Sequence, residues 1–163
     1  MRKNISGTSP YEPIIGFSRA VRIGNTVHLS GTGPVGADDL DATAQTRRVF
    51  EIAAEALTSA GAGFADVVRT RIYLAHAEDW EAVGRVHGEY FSEIRPAATM
   101  VIAALLNPKW RVEIEMEAVI PCSDCCDEDC CCGEDCACEG ECSDDDCTCR
   151  DEDRGGDDKS QEQ

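Results

Sequence analysis

The sequence predicts an α+β fold, a mixed sheet with two helices packed on one of its faces. Three observations carry this. The hydrophobic period switches between two and 3.6 in the order ββ-α-β-α-ββ. Residues 111–118 alternate strictly between apolar and charged. All 11 cysteines fall between Cys122 and Cys149, so no disulfide is available to the part that carries this pattern. The expected organisation is a domain over residues 1–121 and a disordered, Cys- and acid-rich tail over residues 122–163.

Residues 17–24 read as a strand. Gly24-Asn25 marks a turn, and Thr26–Thr32 reads as the returning strand of a hairpin. Gly31, Gly33, Pro34 and Gly36 then end it in a loop. Val49, Ile52, Ala53, Ala56, Leu57 and Ala60 fall on one helical stripe, with Asp41 as N-cap and Gly61 as C-terminal stop. Ala65–Ala75 is rich in β-branched residues and reads as a third strand. Asp79–Glu93 reads as a second helix that buries Trp80, Val83, Val86, His87, Tyr90 and Phe91. Gly84 and Gly88 weaken this helix and are expected to permit close packing. Ala98–Leu106 is an apolar strand, broken by Asn107-Pro108. In the last strand Val112, Ile114, Met116 and Ala118 share one face. Arg111, Glu113, Glu115 and Glu117 share the other.

Three glutamates at period two crowd like charge onto one sheet face, which is unfavourable without compensation. Two readings are open. The face is solvated, or Arg69 and Arg71, which share a face of the third strand with Tyr73, neutralise it. In the second case another subunit could cover the face, and a carboxylate there could act on water as a general base.

Charge separates the two regions. Of the net −17, residues 1–121 carry −3 and residues 122–163 carry −14. The domain has no basic surplus to mark a nucleic-acid footprint, and the tail opposes nucleic acid and anionic membrane. No apolar run is long enough to span a membrane, and no apolar segment follows Met1–Asn4 as a secretory signal would require. The expected location is cytoplasmic, where thiols stay reduced.

Ile15-Gly16-Phe17-Ser18-Arg19-Ala20-Val21, Gly24-Asn25 and Leu29-Ser30-Gly31-Thr32 resemble the opening hairpin of the Rid (YjgF/RidA) family. Gln45-Thr46-Arg47, Ala65–Thr70, Asp79-Trp80 through Tyr90-Phe91, Arg95-Pro96-Ala97 and Val112-Glu113-Ile114-Glu115 extend the resemblance over about residues 12–120. The resemblance implies a chorismate-mutase-like fold, assembly as a homotrimer, and a small-molecule pocket between subunits. It implies hydrolysis of 2-imino acids and enamines to 2-keto acids and ammonia, with no cofactor for the domain. Carried over by position, Glu113 places or activates water. Phe17, Ser30, Gly31 and Ala98 line the pocket.

The sequence departs from the family at Ala98, where an arginine that grips the substrate carboxylate is expected; alanine cannot supply its bidentate fork. Phe17 replaces a frequent tyrosine, and Gly84 a pocket asparagine. The resemblance therefore points to an arginine-lacking branch with reduced or altered activity on 2-imino acids. The competing classes are a non-catalytic metabolite-binding trimer and a trimeric presenter of a metal-binding tail. A ribonuclease reading attached to the family finds no nuclease metal site or basic groove here. Arg95 precedes a proline, has the wrong strand parity, and is not expected to replace the missing clamp.

His87 lies on the apolar stripe of the second helix. It reads either as a core or interface histidine with satisfied ring nitrogens, or as a neutral general base or polar contact in the pocket. His28 and His76 are explained by packing and by a solvated loop. Trp80 and Trp110 are expected to pack rather than to form ligand platforms.

The tail contains Cys122, Cys125, Cys126, Cys130, Cys131, Cys132, Cys136, Cys138, Cys142, Cys147 and Cys149, with no aromatic residue and no Leu, Ile, Val or Met. It cannot bury a core. Its CxxC, CxC and adjacent-Cys spacings are metallothionein-like, and thiolates so close can share Zn²⁺, Cu⁺ or Cd²⁺. The alternative is an acidic solvating segment with incidental thiols.

Overall fold

The structure is a computed structural model that describes residues 1–121. The tail and its eleven cysteines, with the disorder and metal binding expected of them, lie outside the described residues. Met1–Pro121 forms one compact unit.

The apolar periods become elements much as expected. Six strands, β1 (Arg2–Ile5), β2 (Ala20–Ile23), β3 (Thr26–Thr32), β4 (Val67–Leu74), β5 (Ala97–Ile102) and β6 (Val112–Val119), form one sheet in the order β1-β2-β3-β6-β4-β5. All neighbours are antiparallel except β4 and β5. The parallel pair needs a crossover, and helix α2 (Trp80–Phe91) supplies it. The other helix, α1, spans Ala42–Ser59.

Helix α1 begins where Asp41 accepts a hydrogen bond from the Ala44 amide at 2.8 Å. It ends at Gly61, whose φ of +78° lets Ala62 N–H return to the Leu57 carbonyl at 2.9 Å. Its inner stripe, with Val49, Phe50, Ala53 and Leu57, packs on Val27 and Leu29 of β3 and on Ile114 and Met116 of β6 within one buried cluster. Val83, Val86 and Phe91 of α2 join that cluster. Phe50 stacks on Tyr90 at 4.4 Å and meets Phe64 and Phe91 edge-on. Both helices thus cover the face that carries Val112, Ile114, Met116 and Ala118. The glutamates occupy the open face.

The differences from expectation have local causes. β1 has no alternating pattern of its own and exists by pairing with β2. β2 starts at Ala20 because Glu12–Gly16 forms a single wide helical turn, closed by Phe17 N–H to the Glu12 carbonyl. Trp80 is not on the buried side of α2; it opens the helix and is 61% exposed. Gly84 and Gly88 permit no close contact among the described residues, since a Cβ at either would meet open space. β5 stops at Ile102 rather than Leu106. Arg111 leaves the glutamate face: β6 begins one residue later, and the Arg111 guanidinium forks onto buried Asp79 at 2.8 and 2.7 Å. Trp110 packs as expected, its ring against Gly33 and its indole N–H on Asp38 at 2.7 Å.

A residue given no structural role by its sequence context binds the loops together. The Gln45 amide, fully buried on α1, donates to the Asp38, Leu40 and Lys109 carbonyls and accepts from the Arg111 amide. Every hydrogen of that amide is thereby used inside the protein, as burial requires.

Candidate functional site

The three glutamates of β6 stand on one face but meet different surroundings. β4 lies beside them in antiparallel register, with Arg71 opposite Glu115 and Tyr73 opposite Glu113. One nitrogen of Arg71 reaches Glu115 at 2.8 Å and Glu117 at 2.9 Å. Arg69 adds a longer contact to Glu117 at 3.9 Å. The Tyr73 hydroxyl donates to Glu115, not to Glu113. The compensation foreseen for this face is therefore present at Glu115 and Glu117. These side chains are only half-buried, so the pairs neutralise charge more than they stabilise the fold.

Glu113 has no ion pair within 4 Å among the described residues. Burial pushes its carboxyl pKa above the ordinary glutamate value, the charge of Arg19 pulls it down, and Glu115 pushes it up. Its other neighbour is β3. The register between β3 and β6 slips between Leu29 and Thr32, so three steps on β3 oppose two on β6. Ser30 and Gly31 occupy this bulge, which turns bare backbone toward the glutamate. A Cβ at Gly31 would stand 2.1 Å from Glu113 Oε1, so the carboxylate rests where only glycine leaves room.

The bulge is held from the residues leading into β2. The Ser30 hydroxyl donates to the Ser18 carbonyl at 2.7 Å, and the Ser30 amide to the Arg19 carbonyl. Arg19 Nη2 donates to the carbonyls of both Ser30 and Gly31 at 2.7 Å. Phe17, next to Ser18 and 38% exposed, stands at the entry to this strand. Ser30, Gly31 and Glu113 are thus brought together by β3 and β6, with Phe17 one residue before the Ser18 carbonyl that holds Ser30. Arg19, quoted from the sequence only within a motif, is the residue of this group whose part was not foreseen. No sequence signal marks it, because the bulge it serves is visible only in the register.

His87 and Ala98 belong elsewhere in the fold. His87 Nε2 lies 3.0 Å from the Thr70 hydroxyl, and its ring packs 4.7 Å from Phe91. Thr70 is fully buried and points to the helix side of the sheet. His87 is therefore separated from Glu113 by the sheet. Burial lowers its pKa, which favours the neutral ring. Ala98 is the register partner of Thr70 on the edge strand β5, so Ala98 and His87 flank the same threonine. Ala98 is exposed. Arg95 turns back to the Ser92 carbonyl at 3.0 Å.

A depression of about 500 Å³ between α1 and α2, bordered by Thr43, Glu78, Glu81 and Arg85, contains none of the candidate site residues. Among the described residues no three His, Cys, Asp or Glu side chains come together as a metal site. No described helix is long and apolar enough to cross a membrane.

Comparison with known proteins agrees with this architecture. Residues 7–120 match the family model described as Endoribonuclease L-PSP. An uncharacterized Streptomyces coelicolor protein is 38% identical over 121 residues, which cover 71% of this chain and 90% of that protein. The 3-aminoacrylate deaminase RutC of Acinetobacter baylyi is 35% identical over 113 residues, covering 66% and 88%. The crystal structure of Rv2704 from Mycobacterium tuberculosis, a member of the YjgF/YER057c/UK114 family, superposes with a TM-score of 0.69 at 45% identity, covering 74% of this chain and all of that one. With the six-stranded mixed sheet, the two helices on one face and the motifs running in order from Ile15 to Glu115, these matches establish that the chain belongs to the YjgF/RidA family.

Proposed function

We propose that this protein hydrolyses imine- or enamine-type metabolites to a carbonyl product and ammonia, in a pocket between subunits of a homotrimer, on substrates not gripped through a carboxylate. The observation that carries this is Glu113. On a face where Glu115 and Glu117 are neutralised by arginine, it alone is half-buried without an ion pair, pressed onto bare backbone at Gly31. Its raised pKa suits a general base, because a more basic carboxylate accepts a proton from water more readily. Water would attack the imine carbon as Glu113 takes its proton. Glu113 would return that proton to the nitrogen of the resulting carbinolamine and take the hydroxyl proton as the carbonyl forms, so that the C–N bond breaks and ammonia leaves.

The two half-sites support placing this chemistry between subunits. Glu113 and its seat at Gly31 lie on one side of the sheet; Ala98, Thr70 and His87 lie on the other. A neighbouring protomer could bring one set to the other. It would also cover the edge strand β5, where Val101 and Ile102 are exposed at 44% and 57%. The deaminase name carried by the Acinetobacter relative supports the enamine chemistry. Ala98 argues against a carboxylate grip, since a lost charge-assisted bond costs about 1.5–3 kcal/mol.

The test compares freshly generated 2-aminoacrylate with its methyl ester, following ammonia release above the uncatalysed rate. The ester is expected to be turned over at least as well as the acid. Ala98→Arg is expected to shift the preference toward the acid by about tenfold to a hundredfold. Acid turnover equal to that of an arginine-bearing family member would overturn the inference from Ala98. Binding of either compound without turnover would favour the alternative, a metabolite-binding trimer.

For the tail, we propose soft-metal binding by its cysteines, Cys122 to Cys149, on the strength of their spacing alone. Equal metal content in the full chain and in residues 1–121, measured under reducing conditions, would remove it.

A further inference from the structure

Arg19 is charged, largely buried, and drawn toward two carboxylates at once. Gly7 packs against its stem, with a Gly7 Cβ position 3.2 Å from Arg19 Cβ. The Gly7 amide donates to Glu12 at 2.8 Å, which holds the segment before β2 against the Arg19 stem. Burial lowers the Arg19 pKa, while Glu12 and Glu113 both raise it. Its Nη2 satisfies both carbonyls of the Ser30–Gly31 bulge. Its Nε is buried without a partner among the described residues. An unpaired buried donor on a charged group is costly, and a purely structural latch does not require it. A neutral side chain could cap two carbonyls. A cation in this position also supplies a field to the one carboxylate of β6 that Arg69 and Arg71 do not serve.

We propose that Arg19 is a positioning residue for the Glu113 site: it clamps the bulge that gives the carboxylate its bare seat at Gly31, and it brings a positive charge to the carboxylate's side of that bulge. Glu12, on the overlying segment, competes for the same charge. Neither residue touches the reacting atoms. The proposal deepens the hydrolase reading above and rests on it for its catalytic consequence, but its electrostatic part is measurable without turnover.

The measurement is the titration of the Glu113 side-chain carboxyl by ¹³C NMR, with the resonance identified by its loss in Glu113→Gln. In Arg19→Gln the midpoint is expected to rise. In Arg19→Lys, which keeps the charge but not the fork, it is expected to return toward the parent value. In Glu12→Gln, which keeps an oxygen for the Gly7 amide, it is expected to fall, because Arg19 then serves one carboxylate. This last variant is the safeguard should Arg19→Gln not fold. With the ester substrate, Arg19→Gln is expected to lower kcat about tenfold with little change in KM, and to move the acid limb of the rate profile upward. An unmoved Glu113 midpoint in folded Arg19→Gln, or in Glu12→Gln, overturns the proposal. Midpoints that move as expected in a protein that releases no ammonia sink the hydrolase reading and leave Arg19's hold on Glu113 standing.

Discussion

Two ends of strand β6 present the same residue type on the same face and behave differently. At the Glu115–Glu117 end, β4 supplies Arg71 and Arg69, and the carboxylates are paired. At the Glu113 end, β4 offers Tyr73, whose hydroxyl turns to Glu115, and β3 offers a bulge. Sequence alternation makes these glutamates equivalent. What distinguishes them is the strand across the ladder, and one pleat is enough to separate a neutralised surface from a titratable site.

The largest expected effect breaks this comparison at its Glu113 end. Glu113→Gln is expected to lower kcat on the ester substrate by about 10²–10⁴, the usual worth of a general base, whereas Glu115→Gln leaves it within a few-fold. Equal losses in the two variants would mean that the distinction between the ends has no chemical meaning.

Next come two glycines, one in the β3 bulge and one just past the end of β3. Gly31→Ala would place a methyl group against the tip of a flexible glutamate, which can swing away. Activity should fall steeply while Tm changes little. Gly33→Ala would meet the Trp110 ring at 2.2–2.5 Å, and that ring is anchored by Asp38. Thermal unfolding should show a loss of about 1–3 kcal/mol, as overpacking of a fixed ring does.

The smallest effect is in stability against pH and salt. Because the folded-state pKa of Glu113 is raised, the folded protein holds that proton more tightly than the unfolded chain. This contribution is complete below the unfolded pKa, about 4.3, and is lost as pH rises through the higher folded value. Glu113→Gln should remove that fall, so the variant gains on the parent toward neutral pH. Arg71→Met at the other end should lower Tm slightly, with a difference that shrinks as salt is added. Parallel pH–Tm curves for Glu113→Gln and its parent would contradict the buried character of Glu113.

Much of the fold was legible because it is written in local signals. Asp41 and Gly61 bound α1 where the cap chemistry puts them, and the alternation from Val112 to Ala118 gives β6 its two faces. Trp80 was misplaced because helical phase says little at a first turn that no partner covers. The four residues of β1 carry no period, and only their pairing with β2 defines them. For the site, residue types were readable but their partition was not. The separation of His87 from Glu113 follows from Thr70 facing the helices, and the seat beneath Glu113 from an extra residue in β3. Both are facts of register, which a single strand's sequence does not state.

The position of β6 has a consequence for how the chain reaches its native state. It is the last described strand in sequence yet stands between β3 and β4, near the middle of the sheet. Before it arrives, β1–β3 and β4–β5 are two unfinished ribbons, each with an inner edge of unpaired amides and carbonyls open to any passing strand. No early nucleus can close the sheet, since its joining strand is synthesised after both halves. Chains interrupted before Val112 should therefore associate edge to edge rather than remain as soluble fragments. The same strand that carries Glu113 acts as the keystone of assembly, and damage to it would first appear as lost yield of protein.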